Sequence, residues 1–286
     1  MNHHTELLPD PLPAEPLVVV NGWLAESWKL QQQPNPNAMV VATVDPDGRP
    51  SARVVLCKRI VPQPGYLVFF TNYLSRKGRE LTQNPRAAAV MHWDALHRQV
   101  RVEGPVVKTP EADSDAYFAS RAWQSRLGAW ASQQSEPIGS RKELQVAVAE
   151  AAKRFGTPPP DDATADGATA GATTEDGTTE DATAGETTAG KAATGGAATG
   201  GAAAGRAVTG GTKGDYAEGE RAQEGRTIVI PRPPNWGGFR LWAESVELWV
   251  EGDARIHDRA RWTRSLTMGS DGSVDAGPWT ATRLQP

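Results

Sequence analysis

With one cysteine, Cys57, in 286 residues, the chain cannot close an intrachain disulfide or build a cysteine-based zinc site. A reducing compartment, the cytoplasm, is the expectation. The five histidines, including His3, His4, His92 and His97, show no metal-ligand spacing with carboxylates, so no metal is expected. A Gly-x-Ser-x-Gly elbow is missing, which argues against a serine hydrolase of the common α/β type. Neither common Gly-rich phosphate loop occurs, so side chains must hold any phosphate. No apolar run approaches a membrane span, and the Met1–Glu6 start lacks the basic-then-apolar pattern of a signal peptide.

Large apolar residues are absent between Phe155 and Val208, where Ala, Gly, Thr, Asp and Glu recur in near-repeats such as Thr-Thr-Glu-Asp at 173–176 and 178–181. Such a stretch has too little apolar surface to offset the entropy of ordering it, and 157–226 is expected to be disordered. It holds 12 acids and 5 bases of the chain's 34 and 30, leaving 22 acids and 25 bases, a net +3, in the remainder. That mildly basic body suits small anionic ligands and gives no case for nucleic acid.

The rest alternates short apolar runs with turn signals. Residues 1–16 read as an irregular arm, and 17–31 as an amphipathic helix. Strands are expected at 38–44, 51–60, 66–71, 87–93, 99–107, 239–250 and 279–284, with Asp45-Pro-Asp-Gly48 as a hairpin turn. Helices are expected at 75–81, capped by Ser75, at 110–121 and at 140–155. Consecutive strands joined by short turns predict a mainly β fold, an antiparallel barrel with peripheral helices. The domain is expected to be built from 17–156 and 227–286, interrupted by the low-complexity insertion.

Three groups of residues could carry chemistry. Arg53, Lys58, Arg76 and Lys77 offer forked and point-charge donors near a helix start; a solvated basic face is the other reading. Arg53 and Lys58 have opposite parity on a regular strand, so either a bulge intervenes or they serve different groups, or different subunits. Tyr117, Arg121 and Ser125 are spaced by four and would share a face of a continuing helix. If 249–259 is extended, Arg255, His257 and Arg259 point one way and favour an anion or an electron-rich ring; a hairpin tip is the alternative.

Several motifs then occur in order: Ala-Met-Val-Val-Ala-Thr-Val-Asp from Ala38, Arg-Val-Val-Leu-Cys-Lys at 53–58, Phe-Phe-Thr-Asn at 69–72 and Ser-Arg-Lys at 75–77. Arg-Gln-Val (98–100), Tyr-Phe-Ala-Ser-Arg (117–121), Leu-Gly-Ala-Trp-Ala-Ser-Gln-Gln-Ser (127–135), Trp-Gly-Gly-Phe-Arg (236–240), Arg-Ile-His-Asp-Arg (255–259) and a closing Arg-Leu-Gln-Pro follow. This series resembles the pyridoxine/pyridoxamine 5'-phosphate oxidase family across all but the termini and the insertion.

The resemblance implies an FMN-binding split β-barrel of Greek-key type, a homodimer with two sites at the subunit interface. It implies oxidation of pyridoxamine 5'-phosphate and pyridoxine 5'-phosphate by O2. FMN would be held by Arg53, Val54, Val55, Leu56, Cys57, Lys58, Phe70, Thr71, Arg76 and Lys77, together with Gln99, Gln134, Ser135, Trp249 and Arg259. The substrate phosphate would meet Lys58, Tyr117, Arg121 and Ser125, with Arg255 and His257 over the ring as catalytic residues. Members usually carry an N-terminal basic tract ending in Tyr, whereas residues 1–16 contain no Arg, Lys or Tyr. Two other readings share the fold: a flavin oxidase of another ring, of the phenazine type, and a non-catalytic binder of flavin or pyridoxal phosphate.

Overall fold

The computed structural model describes residues 6–156, 229–269 and 272–286. The low-complexity stretch expected to be disordered, 157–226, lies outside them. Helix α1 (Pro16–Leu30) precedes strands β1 (Ala38–Val44), β2 (Pro50–Leu56), β3 (Arg59–Val61) and β4 (Tyr66–Asn72). Helix α2 (Arg76–Gln83), strands β5 (Arg86–Trp93) and β6 (Arg98–Lys108), and helices α3 (Glu111–Ala119), α4 (Trp123–Ala131) and α5 (Arg141–Phe155) follow. The C-terminal part supplies β7 (Trp236–Trp242), β8 (Ser245–Val250), β9 (Asp258–Thr263), β10 (Leu266–Met268), β11 (Val274–Ala276) and β12 (Thr280–Leu284).

Among the described residues every strand pairing is antiparallel, and the fold is mainly β with peripheral helices, as expected. The main sheet runs β12-β9-β8-β6-β5-β1-β2, and β3, β4 and β7 curl away from it through β6. Strand β6 makes the junction: Arg98–Glu103 pair with β8, while Val106–Lys108 pair with β7. Gly104 sits at the switch, where a Cβ would lie 2.0 Å from the Trp242 carbonyl oxygen, so only glycine fits. Segments on either side of the insertion thus form one unit, with β7 registered against β4 from Tyr66↔Trp242 to Asn72↔Trp236.

The barrel core gathers Val41, Leu67, Phe69, Leu241, Leu248 and Trp262, all fully buried. A second cluster, with Phe118, Trp123, Leu127, Phe155 and Trp236, fastens α3, α4 and α5 to the barrel. Local signals behave as read: Gly48 takes φ 81° in the first hairpin, and Ser75 Oγ accepts from the Gly78 amide.

Several expectations need correction. The strand expected at 51–60 breaks at Cys57-Lys58, because the Cys57 amide donates to Asn37 O and the Lys58 amide to Val68 O, passing the chain from β1 to β4. The run 239–250 is two strands, turning at Ala243-Glu244. The helix expected at 110–121 stops at Ala119, and α4 starts after it. Nor is 249–259 extended throughout: Asp253–Arg255 form a 3-10 turn, with φ 52° at Ala254 and 66° at Arg255.

Candidate functional site

A cavity of about 1050 Å3 opens beside the edge strand β2, walled by β2, the ends of β4 and α2, α3, α4 and the loop after α4. Five cations line it, Arg53, Lys58, Arg76, Lys77 and Arg121, and no acid among the described residues does. A low-dielectric wall carrying one sign of charge concentrates anions. Val54, Val55, Leu56, Phe70, Thr71, Tyr117, Ser125, Gln134, Ser135 and Trp236 also line it. The chain break at Cys57-Lys58 answers the parity question: Arg53 and Lys58 both reach one cavity. Cys57 does not; its side chain is buried in the barrel core, where desolvation pushes the thiol up to about 12.

The first cation group rests on α2. Arg53 Nη1 donates to Thr43 Oγ1 (2.5 Å) and Val41 O (3.3 Å), and its Nη2 donates to Ser51 Oγ (2.5 Å). Buried Lys77 donates to Ser75 Oγ (3.3 Å) and to Gln134 Oε1 (3.0 Å), which also accepts from Thr71 Oγ1 (3.1 Å). Burial first, and the Arg53 charge second, pull the Lys77 pKa down to about 8.

Glu80, not singled out from sequence, stands behind this wall. Burial alone would raise its pKa, but hydrogen bonds from Thr43, Ser51 and Arg76 and the Arg53 charge outweigh that and hold it at about 2. Its one signal in the sequence is the i,i+4 spacing from Arg76.

The second group is moored on aromatic rings. Phe70 stacks on Tyr117 (centroids 4.0 Å apart) and lies parallel to Trp236 (5.5 Å, 9°). Lys58 Nζ stands 5.6 Å from the Tyr117 ring centre and the Arg121 guanidinium 4.8 Å from that of Trp236. Among the described residues, buried Arg121 Nη1 has no hydrogen-bond partner, and such a donor is costly unless an acceptor arrives. Tyr117, Arg121 and Ser125 all line the cavity, across a helix break and not on one continuing helix. Trp236 was missed because an aromatic at a strand start reads as core.

Gln99, Trp249, Arg255, His257 and Arg259 do not line this cavity within one chain. Gln99 pairs with Trp249 and Trp249 with Arg259, so the three form one row across β6, β8 and β9. Arg259 Nη2 donates to Glu247 Oε1 (2.7 Å), beside Arg261 Nη2 to Oε2 (2.8 Å). Against burial, which would raise it, these bonds and the Arg101 charge lower the Glu247 pKa. His257 packs on Trp249 (4.7 Å between rings), and its Nδ1 accepts from the Gly252 amide at 3.3 Å. A neutral His257 so bonded carries its proton on Nε2. Arg255 is exposed. Among the described residues no group of three or more His, Cys, Asp or Glu could hold a metal, and no helix is long and apolar enough to cross a membrane.

Two family models match the chain: "Pyridoxamine 5'-phosphate oxidase" over residues 29–155 and "Pyridoxine 5'-phosphate oxidase C-terminal dimerisation region" over 236–286. The pyridoxine/pyridoxamine 5'-phosphate oxidase of Burkholderia mallei (strain SAVP1) is 37% identical over 271 residues, 95% of this chain and 89% of that protein. That of Gluconobacter oxydans (strain 621H) is 35% identical over 276 residues, 96% of each. Among solved structures, PhzG from Burkholderia lata 383 in complex with tetrahydrophenazine-1-carboxylic acid superposes with a TM-score of 0.65 at 23% identity, covering 98% of both chains. A pyridoxamine 5'-phosphate oxidase-related, FMN binding protein of Nostoc punctiforme PCC 73102 gives a TM-score of 0.52 at 13% identity, covering 94% of this chain and 96% of that one. At those identities the two structures speak for the fold.

Proposed function

The chain belongs to the pyridoxine/pyridoxamine 5'-phosphate oxidase family, and from that premise we propose that it oxidises pyridoxamine 5'-phosphate and pyridoxine 5'-phosphate to pyridoxal 5'-phosphate with FMN and O2, releasing H2O2 in both cases and, from the amine, ammonia at the expense of one water. The observation that carries this reading is the cavity wall of five cations and, among the described residues, no acid, divided into two separately moored groups. Two phosphorylated molecules in one cavity need that division. A carboxylated tricycle of the phenazine type has no phosphate for the second group to hold.

Arg53, Arg76 and Lys77 would hold the FMN phosphate, with Thr71, Gln134 and Ser135 along the ribityl chain and Val54, Val55 and Leu56 beside it. When bound, FMN supplies the acceptor for a hydride from the substrate's 4′ carbon and the route by which those electrons reach O2. Lys58, Tyr117, Arg121 and Ser125 would hold the substrate phosphate, the unpartnered Arg121 Nη1 gaining its acceptor there. That grip fixes where the 4′ carbon lies, so orientation is the main contribution of these residues.

The dimer supplies the rest. The chain carries the family's dimerisation region at 236–286, and Gln99, Trp249, Arg255, His257 and Arg259 lie on strands or turns away from their own cavity. In this reading they complete the cavity of the second copy, with His257 Nε2–H facing the ring 3-hydroxyl and Arg255 over the ring. The test is peroxide release from each vitamer phosphate in air; turnover of neither, with a carboxylated ring consumed instead, would replace this reading with the phenazine-type one.

A further inference from the structure

Resting on that assignment of a flavin phosphate to Arg53, Arg76 and Lys77, we infer that Glu80 is the positioning residue of the phosphate site. Its carboxylate sets the pose of Arg53 and Arg76 from behind the wall, without itself reaching the ligand.

Glu80 is buried on α2, one turn after Arg76, and is absent from the cavity lining, whereas Arg53, Arg76 and Ser51 line it. Both carboxylate oxygens are engaged. Oε1 accepts from Arg76 Nε (2.8 Å) and Ser51 Oγ (3.0 Å). Oε2 accepts from Ser51 Oγ (2.7 Å), from Thr43 Oγ1 and from Arg53 Nη2 (3.4 Å). Thr43 and Ser51 each accept from Arg53 and donate to Glu80, so two hydroxyls bridge the guanidinium to the carboxylate. Strands β1 and β2 and helix α2 are thereby tied at one point.

The two arginines are held differently. Arg53 has both terminal nitrogens committed to Val41, Thr43, Ser51 and Glu80, which makes it a charge fixed in place at the wall. Arg76 is held through Nε alone, and among the described residues its Nη1 and Nη2 have no partner. A guanidinium anchored by Nε presents its remaining fork in one direction, the geometry that suits two phosphate oxygens. Donors held in place before the ligand arrives lose little on binding, and that is the energetic content of positioning.

A purely Coulombic account gives the opposite sign. Neutralising Glu80 would make the wall more positive, so an anion should bind more tightly. If positioning dominates, Glu80→Gln frees Arg76 to wander and leaves Arg53 and Arg76 without the carboxylate they share, so phosphate binding weakens. Riboflavin, which is FMN without its phosphate, separates this from general damage to the fold.

The experiment titrates full-length apoprotein, wild type and Glu80→Gln, with FMN and with riboflavin, following flavin fluorescence. The expected result is a loss of roughly tenfold or more in FMN affinity with riboflavin affinity within about twofold of wild type. Unchanged or tighter FMN binding overturns the inference, and so does an equal loss for both flavins. Should Glu80→Gln not fold, Ser51→Ala removes one bridging hydroxyl from an edge strand and is expected to weaken FMN alone by a few-fold; an unchanged ratio of the two affinities overturns the inference. Wild-type protein that binds both flavins equally would remove the phosphate-site assignment and this inference together. A wild-type preference for FMN that survives in the variants would remove only the inference.

Discussion

Lys77 donates to Gln134 Oε1 at 3.0 Å, tying the first turn of α2 to the loop after α4 across the cation-lined cavity. Burial, with a smaller push from Arg53, brings this lysine's pKa from 10.5 to about 8 in the ligand-free protein. A phosphate raises it again, so binding must take up a proton once the free protein has lost it. FMN affinity is therefore expected to change little between about pH 6.5 and 7.5, where the phosphate is mostly dianionic, and to fall between pH 8 and 10, by up to about tenfold per unit. Fluorescence titrations at pH 6.5, 8 and 9.5 check this; affinity that rises over that range contradicts it.

Arg53 and Arg255 should fail in different ways. Arg53 lies in the cavity wall, and Arg53→Ala is expected to lose FMN, with Kd weakened roughly tenfold or more. Arg255 is exposed on a 3-10 turn outside that cavity, so Arg255→Ala should keep its flavin and lose turnover. Flavin content per chain and peroxide release, measured on both variants, separate the two roles. Equal flavin loss would sink the division of labour.

Glu80 also makes an acid-stability prediction. Its folded pKa of about 2 lies below the unfolded value of 4.5, so its contribution is present above about pH 4.5 and is lost as pH falls through 2. The shift corresponds to about 3 kcal/mol. The gap between the urea midpoints of wild type and Glu80→Gln should close between pH 5 and 2. A gap independent of pH would mean that the carboxylate's charge is not what stabilises the junction.

Gly78 tests the packing beneath α2. A Cβ there would lie 2.2 Å from the Tyr73 carbonyl oxygen, and backbone cannot step aside as a side chain can. Gly78→Ala should destabilise by about 1–3 kcal/mol through overpacking, despite the gain in helix propensity. A melting temperature equal to or above wild type would contradict this.

How much of this was legible in the sequence varies from element to element. Asp45-Pro-Asp-Gly48 and Ser75 carry their own turn and cap chemistry, so the first hairpin and the start of α2 were readable. The break at Cys57-Lys58 was not, because it is made by distant carbonyls, Asn37 O on one side and Val68 O on the other. Ala243-Glu244 contains neither Gly nor Pro, and so β7 and β8 ran together. Helix α4 was read only as a continuation of the helix before it, through Ser125, and the kink at Ala254-Arg255 had no marker in composition. The cationic residues were legible by type, but their gathering into one cavity, with Glu80 behind it, is tertiary. The row Gln99–Trp249–Arg259 needed the strand register, and its place away from the cavity needed the fold.

The central claim is that this cavity holds a flavin and a phosphorylated pyridine together. The direct measurement is the absorbance of the FMN-loaded protein near 450 nm on anaerobic addition of pyridoxamine 5'-phosphate. The account predicts bleaching, reversed on admitting air with one H2O2 released per pyridoxamine 5'-phosphate oxidised. Absorbance that stays unchanged at saturating pyridoxamine 5'-phosphate and pyridoxine 5'-phosphate would contradict it.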